Sequence, residues 1–177
     1  MEKPKSTLDT IANIAIILVC IIAAAVLVDR NVYKFLPMST QRQPGAPPEA
    51  TKGETLAALR DHIPAGTEKA LFVAVSPTCH FCNDSMPFYK KLIDQRNQRS
   101  SPVKVIAAVP GDDAKDAEAK HFADAGTQPD AMVHVDFSKI KVPGTPTLIL
   151  VDNQGKVLDV WVGKLDEGRE REVLARL

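Results

Sequence analysis

Two cysteines, Cys79 and Cys82, have the spacing and the surroundings that allow redox chemistry. They follow the apolar run Ala70 to Val75, which has the length of a buried strand, and they open a segment with helical spacing. The unpaired N–H groups and positive dipole at a helix N-terminus favour a thiolate at Cys79. We therefore predict thiol–disulfide exchange, with Cys79 as nucleophile, Cys82 as resolving thiol and a Cys79–Cys82 disulfide in the oxidised form.

Metal binding is the main alternative use of such a pair. A structural zinc ion usually takes four protein ligands, and the chain offers these two cysteines with four histidines scattered at positions 62, 80, 121 and 134. A copper metallochaperone could use Cys79 and Cys82 with His134 as a third ligand. Haem attachment is excluded because Asn83, not histidine, follows Cys82. We expect no metal and no organic cofactor.

The residues around the pair suggest further roles. A protonated His80 would stabilise the Cys79 thiolate and tune the redox potential, although an exposed spacer with little effect is a close alternative. Phe81 would offer apolar surface for docking a partner chain. We interpret His121 as a solvated residue of a charged helix and His134 as a structural histidine of a short strand.

The N-terminal part of the chain predicts a membrane anchor. Residues 11–28 are an 18-residue apolar run, long enough to span ~27 Å as a helix. It exceeds the apolar core of a cleavable signal peptide and lacks a clear cleavage site, so an uncleaved anchor is favoured. Cys20, within this run, is read as a small apolar residue. Residues 1–10 would be cytoplasmic, and the Pro-rich residues 29–50 would form a tether.

Residues 51–177 predict one globular domain. A short helix should end before Pro64, and strands are expected at 70–75, 103–109 and 131–135. A charged helix is expected at 111–126, with Ala114, Ala117, Phe122 and Ala125 along its inner edge. A β-hairpin over 147–162 and a last helix over 166–177 complete an α/β domain with a mixed sheet flanked by helices. The chain has 22 acidic and 22 basic residues, so no net positive charge indicates binding to nucleic acid.

The domain resembles thioredoxin from about Thr51 to Leu177. The resemblance rests on the strand–CxxC–helix unit, on Pro87, on Gly144-Thr145-Pro146-Thr147, and on a closing hairpin with Val162-Gly163. The extra helix and strand after Val109 are similar to membrane-anchored, extracytoplasmic relatives of the TlpA and ResA type. The chain departs from the family in carrying Thr78 where members usually have tryptophan, and Val73 where thioredoxin itself has a buried acid.

The resemblance implies a function and a location. It implies a cis peptide bond before Pro146 and a docking site for substrate strands at Thr145 and Pro146. It also implies a single-pass protein of the bacterial inner membrane whose periplasmic domain acts on cysteine pairs of exported proteins, with a membrane thiol donor or acceptor to reset it. Reduction is favoured over oxidation. A non-catalytic binding module with the same fold is the remaining alternative.

Overall fold

The computed structural model describes residues 48–177 together with Ile16 and Ile17. Residues 48–177 contain five helices and five strands, in the order α1 Ala57–Arg60, β1 Lys69–Ala74, α2 His80–Asp84, α3 Met86–Gln98, β2 Lys104–Val109, α4 Asp113–Asp124, β3 Ala131–His134, β4 Thr147–Asp152, β5 Val157–Val162 and α5 Glu167–Arg176. The predicted α/β domain is thus confirmed, with boundaries within a few residues of those expected.

The five strands form one mixed sheet in the order β3-β2-β1-β4-β5. The first three strands are parallel, and β4 and β5 run antiparallel to their neighbours. In the register, Ala74 at the end of β1 pairs with Ala108 of β2 and with Thr147 at the start of β4. The segment that follows β1 and the segment that precedes β4 therefore lie next to each other at the same end of the strands.

The sheet is buried on both faces, which explains why β1 reads as a continuous apolar run rather than an alternating one. Leu71, Val73 and Val75 point into a core shared with α3, α4 and α5. Ala70 and Phe72 point into a second core on the opposite face, together with α1 and the chain around Ile140. The central strand is thus fixed from both sides, and so is the turn that leaves it.

The insertion between β2 and β3 corrects one expectation. Ala114 and Phe122 face the core as predicted, but Ala117 is exposed and Glu118 completes the inner face of α4. Ala114, Glu118 and Phe122 are four apart, so they lie along one side of the helix. A glutamate is almost never fully buried unless it is paired, yet the Glu118 side chain is 0% exposed.

The hairpin between β4 and β5 closes the sheet against α1. Its turn contains Gly155 at φ +75, where a Cβ atom would lie 2.9 Å from the carbonyl oxygen of Leu56. The Asp152 carboxylate accepts the backbone N–H groups of Gln154 and Lys156 at 2.8 and 3.0 Å. The predicted hairpin is confirmed, and its glycine is required for both backbone conformation and close approach.

Apart from Ile16 and Ile17, the predicted anchor at 11–28 lies outside the described residues, and so does most of the predicted tether at 29–50. Within the part that is described, none of the helices combines the length and the apolar character needed to cross a bilayer.

Candidate active site

The two cysteines lie where β1 passes into α2. Ser76 to Cys79 form a tight turn with Pro77 at its second position, closed by the Cys79 N–H donating to the Ser76 carbonyl oxygen at 2.9 Å. Cys79 is the N-cap of α2. It forms a disulfide with Cys82, and the two Cα atoms are 5.2 Å apart. Cys79 is half-buried whereas Cys82 is 0% exposed.

The N-terminus of α2 supplies a hydrogen bond to Cys79 Sγ, the more exposed sulfur of the disulfide and hereafter the outer sulfur. The backbone N–H of Cys82 donates to Cys79 Sγ at 3.0 Å. A donor at this position stabilises negative charge on that sulfur after reduction, because hydrogen bonds to an ionised acceptor are about twice as strong as neutral ones. Cys82 has no comparable exposure, since its side chain belongs to the core that contains Val75 and Tyr89.

The cysteine helix is short because Pro87 follows it. Ser85 separates α2 from α3, and Pro87 lies in the first turn of α3, where a missing N–H is tolerated. Because Pro87 cannot donate to the carbonyl oxygen of Asn83, α2 does not continue regularly into α3. The Ser85 hydroxyl donates to the Phe81 carbonyl oxygen at 2.7 Å. This hydrogen bond fixes the backbone of α2 between the two cysteines.

His80 and Phe81, between the cysteines, both face solvent. The His80 side chain is 81% exposed and its Nε2 lies 3.7 Å from the Asp84 Oδ2 atom. Phe81 is 56% exposed, in contrast to the buried phenylalanines at 72, 88 and 122. An apolar ring left in water beside a disulfide is available to a docking partner.

The Thr145–Pro146 peptide bond is cis. Pro146 is buried and Thr145 is half-buried. The Pro146 carbonyl oxygen accepts the N–H of Gly163 at 2.8 Å, and the Thr147 hydroxyl donates to the Gly144 carbonyl oxygen at 2.7 Å. Because Thr147 pairs with Ala74, the Thr145–Pro146 segment lies at the same end of the strands as the turn that leads from β1 to the cysteines. Thr145, rather than the Pro146 ring, is the more accessible of the two.

The other predicted histidines lie apart from the cysteine helix. His121 is not simply solvated as predicted: its Nδ1 atom lies 2.9 Å from Oε2 of the buried Glu118. His134, the last residue of β3, is partly exposed and its Nδ1 is 3.6 Å from the Asp112 carboxylate. Within residues 48–177, no group of three or more His, Cys, Asp or Glu side chains is arranged to hold a metal ion.

Sequence reasoning missed two sets of charged or polar contacts, one at the cysteine helix and one in the core. Asp84 accepts a hydrogen bond from Lys164 Nζ at 2.8 Å, across 80 residues of sequence, and no local pattern indicates this pair. Burial raises the pKa of Glu118 and also that of Tyr89, whose hydroxyl is fully buried. The position of Glu118, midway between Ala114 and Phe122 at helical spacing, was the available signal for its burial.

Comparison with known proteins agrees with this geometry. Residues 57–177 match the model of the family described as a thioredoxin-like domain. The chain belongs to that family. No curated protein sequence matches it.

Two similar solved structures share the fold. StoA from Bacillus subtilis has a TM-score of 0.50 and 14% identity over 62% of this chain and 84% of its own. A candidate protein disulfide isomerase from Bacteroides thetaiotaomicron has a TM-score of 0.50 and 16% identity, over 62% of this chain and 72% of its own. At these identities the likeness shows the fold alone. The CxxC disulfide that this chain carries on that fold supports thiol–disulfide oxidoreductase activity.

Proposed function

We propose that this protein is a membrane-anchored thiol–disulfide oxidoreductase that reduces cysteine pairs of exported proteins. The observation that carries the proposal is the asymmetry of the Cys79–Cys82 disulfide, in which one sulfur is reachable and hydrogen-bonded while the other is fully buried. Such asymmetry assigns attack on a substrate to Cys79 and resolution to Cys82, because an incoming disulfide cannot reach a sulfur that has no exposed surface.

The reaction balances as two successive thiol–disulfide exchanges. The Cys79 thiolate attacks one sulfur of a substrate disulfide, forms a mixed disulfide and releases the other substrate sulfur as a thiolate. Cys82, after losing its proton, attacks the Cys79 sulfur, closes the Cys79–Cys82 bond and releases the second substrate thiol. Two electrons pass from the protein to the substrate, and the protein ends in the disulfide form. His80 would tune the first step through its charge.

Docking would use the surface on either side of the outer sulfur. Phe81 offers an exposed apolar ring. The peptide groups of Thr145 have no backbone hydrogen bond to another described residue, so they could pair with an extended substrate segment. The combination suits a flexible cysteine-containing strand better than a small molecule, since backbone pairing and one apolar contact together require a chain.

Location and direction complete the proposal. The apolar residues 11–28 would hold the protein in the bacterial inner membrane as a single-pass anchor, with residues 1–10 cytoplasmic and the tether 29–50 carrying the domain on the periplasmic side. A reductase of this kind requires a thiol donor in the membrane that returns two electrons to the Cys79–Cys82 disulfide after each cycle.

The test is the reduction potential of the Cys79–Cys82 pair in the full chain, with Cys20→Ser to remove the third thiol. Equilibration with dithiothreitol should give a value near roughly −270 mV, which suits a reductant; a value near roughly −120 mV would indicate an oxidant and refute the direction. A Cys82→Ser variant should accumulate mixed disulfides with substrate proteins through Cys79, and Cys79→Ser should not. Protease protection in intact cells that places the domain in the cytoplasm would refute the location.

A further inference from the structure

Three ionisable side chains form a cluster beside the disulfide that the exchange reaction does not itself use. Asp84 is the last residue of α2, His80 is the first, and Lys164 follows β5. Asp84 Oδ2 lies 2.8 Å from Lys164 Nζ and 3.7 Å from His80 Nε2. The carboxylate is therefore shared between a permanent cation and a titratable one.

The backbone around Lys164 connects this cluster to the proline loop. Gly163, which precedes Lys164, donates its N–H to the Pro146 carbonyl oxygen at 2.8 Å. The Asp84–Lys164 contact therefore joins the cysteine helix to the segment that holds Thr145. Both side chains are partly exposed, at 34% and 48%, so the pair contributes little to folding stability. The main effect of the Asp84–Lys164 pair should therefore be on the net charge near the disulfide.

Asp84 and Cys79 belong to the same short helix. Cys79 is its N-cap and Asp84 its last residue, five positions further on, which is a rise of roughly 7.5 Å along the helix axis and lies within the ~10 Å over which charges interact at moderate salt. An uncompensated carboxylate at such a distance disfavours a second negative charge. The hydrogen bond from Lys164 is the largest cause of the lowered pKa of Asp84, followed by the opposing effect of desolvation and then by the charge of His80. Asp84 is thus ionised at neutral pH, and Lys164 is the main group that offsets its charge.

We propose that Lys164 sets the redox balance of the site by compensating the Asp84 carboxylate, so that a thiolate at Cys79 is not opposed by a neighbouring negative charge. The inference rests on the proposed role of Cys79 as the attacking thiolate. Losing Lys164 would destabilise the thiolate and with it the reduced form, and the protein would become more reducing. Losing Asp84 would have the opposite effect, and losing both would nearly cancel.

The experiment measures the pKa of Cys79 and the reduction potential in the full chain carrying Cys20→Ser. Lys164→Met should raise the pKa by roughly 0.3–1 unit, which is about a twofold to tenfold loss of thiolate at a given pH. Tenfold corresponds to about 30 mV for this two-electron couple. Asp84→Asn should lower the pKa, and the double variant should return close to the parent. Lys164→Arg should retain the parent values because it keeps the charge.

Controls separate this effect from general damage and from failure of the proposed function. Lys120→Met breaks an exposed pair of the same kind, Lys120 Nζ to Asp124 Oδ2 at 2.6 Å on α4, and should change neither value. Added salt should shrink the Lys164→Met shift, since exposed charges are screened. An unchanged pKa in Lys164→Met, or shifts of the same sign in both single variants, would overturn the inference. Alkylation of the reduced parent at Cys82 instead of Cys79 would overturn the assigned roles as well.

Discussion

Replacing Glu118 by glutamine should make the protein more stable at neutral pH, which is unusual for a change at a fully buried position. The Glu118 side chain is 0% exposed and packs on the inner face of α4 between Ala114 and Phe122. Its Oε2 atom has His121 as a partner at 2.9 Å, but Oε1 has no hydrogen-bond partner among the described residues. Glutamine keeps the shape of the side chain and removes the charge.

The size and pH dependence of the effect follow from the direction of the pKa shift. Desolvation raises the pKa of Glu118 above 4.5, and the hydrogen bond and charge of His121 offset this only in part. Because the folded state binds this proton more tightly than the unfolded state, stability is lost as the pH rises from 4.5 through the folded pKa. Above the folded pKa, each unit by which the pKa is raised costs about 1.4 kcal/mol of stability. Glu118→Gln carries no such charge, so we expect it to gain that amount for each unit of the shift at pH 7.

Urea denaturation at a series of pH values measures this difference. The parent and Glu118→Gln should unfold at similar urea concentrations below pH 4.5, and the variant should become progressively more stable above it. Glu172→Gln, on the exposed side of α5, is the matched control and should follow the parent throughout. If the unfolding free energies of Glu118→Gln and the parent change in parallel with pH, or if the variant is less stable at pH 7, the buried charge does not destabilise the protein and the prediction is wrong.

Three further changes have defined outcomes. Phe81→Ala should leave the unfolding free energy within about 0.5 kcal/mol of the parent but slow the reaction with protein disulfides about fivefold, with small disulfides unaffected in a turnover assay. Arg96→Met removes the hydrogen bond and ion pair of a buried guanidinium with Asp130 at 2.6 Å, and urea unfolding should show a loss of about 2–3 kcal/mol. His121→Ala should raise the pKa of Glu118 further, measured by carboxyl-carbon NMR, because its hydrogen bond lowers that pKa.

The elements and the cysteine helix could be predicted because their signals are local. The run from Ala70 to Val75 is apolar throughout because β1 is covered on both faces, and this burial is visible as an unbroken sequence of apolar residues. The turn Ser76 to Cys79 and the turn at Gly155 are likewise determined by residues next to each other. In each case one short stretch of sequence contains the residues that determine the backbone conformation, although the contact of Gly155 with Leu56 is long-range.

The charged contacts could not be predicted because they join distant parts of the chain. Asp84 and Lys164 meet only because β4 and β5 bring the end of the hairpin beside the cysteine helix. Glu118 is a different case, since helical spacing indicated its burial while its side-chain type argued against it. The helix was correctly predicted, and the error was confined to which of its residues face the core.

The backbone and the side chains stabilise the Cys79 thiolate by different means, and this limits how far a surface substitution can shift the pKa of Cys79. The N–H of Cys82 reaches Cys79 Sγ because Cys79 is the N-cap of α2, so this hydrogen bond depends on the helix and not on a side chain. The side chains of His80 and Lys164 are 81% and 48% exposed, so salt screens the effects of their charges. Variants at these positions should therefore shift the Cys79 pKa by about one unit at most. A larger shift would mean that the start of α2 had moved, because only the loss of the backbone donor could remove so much stabilisation.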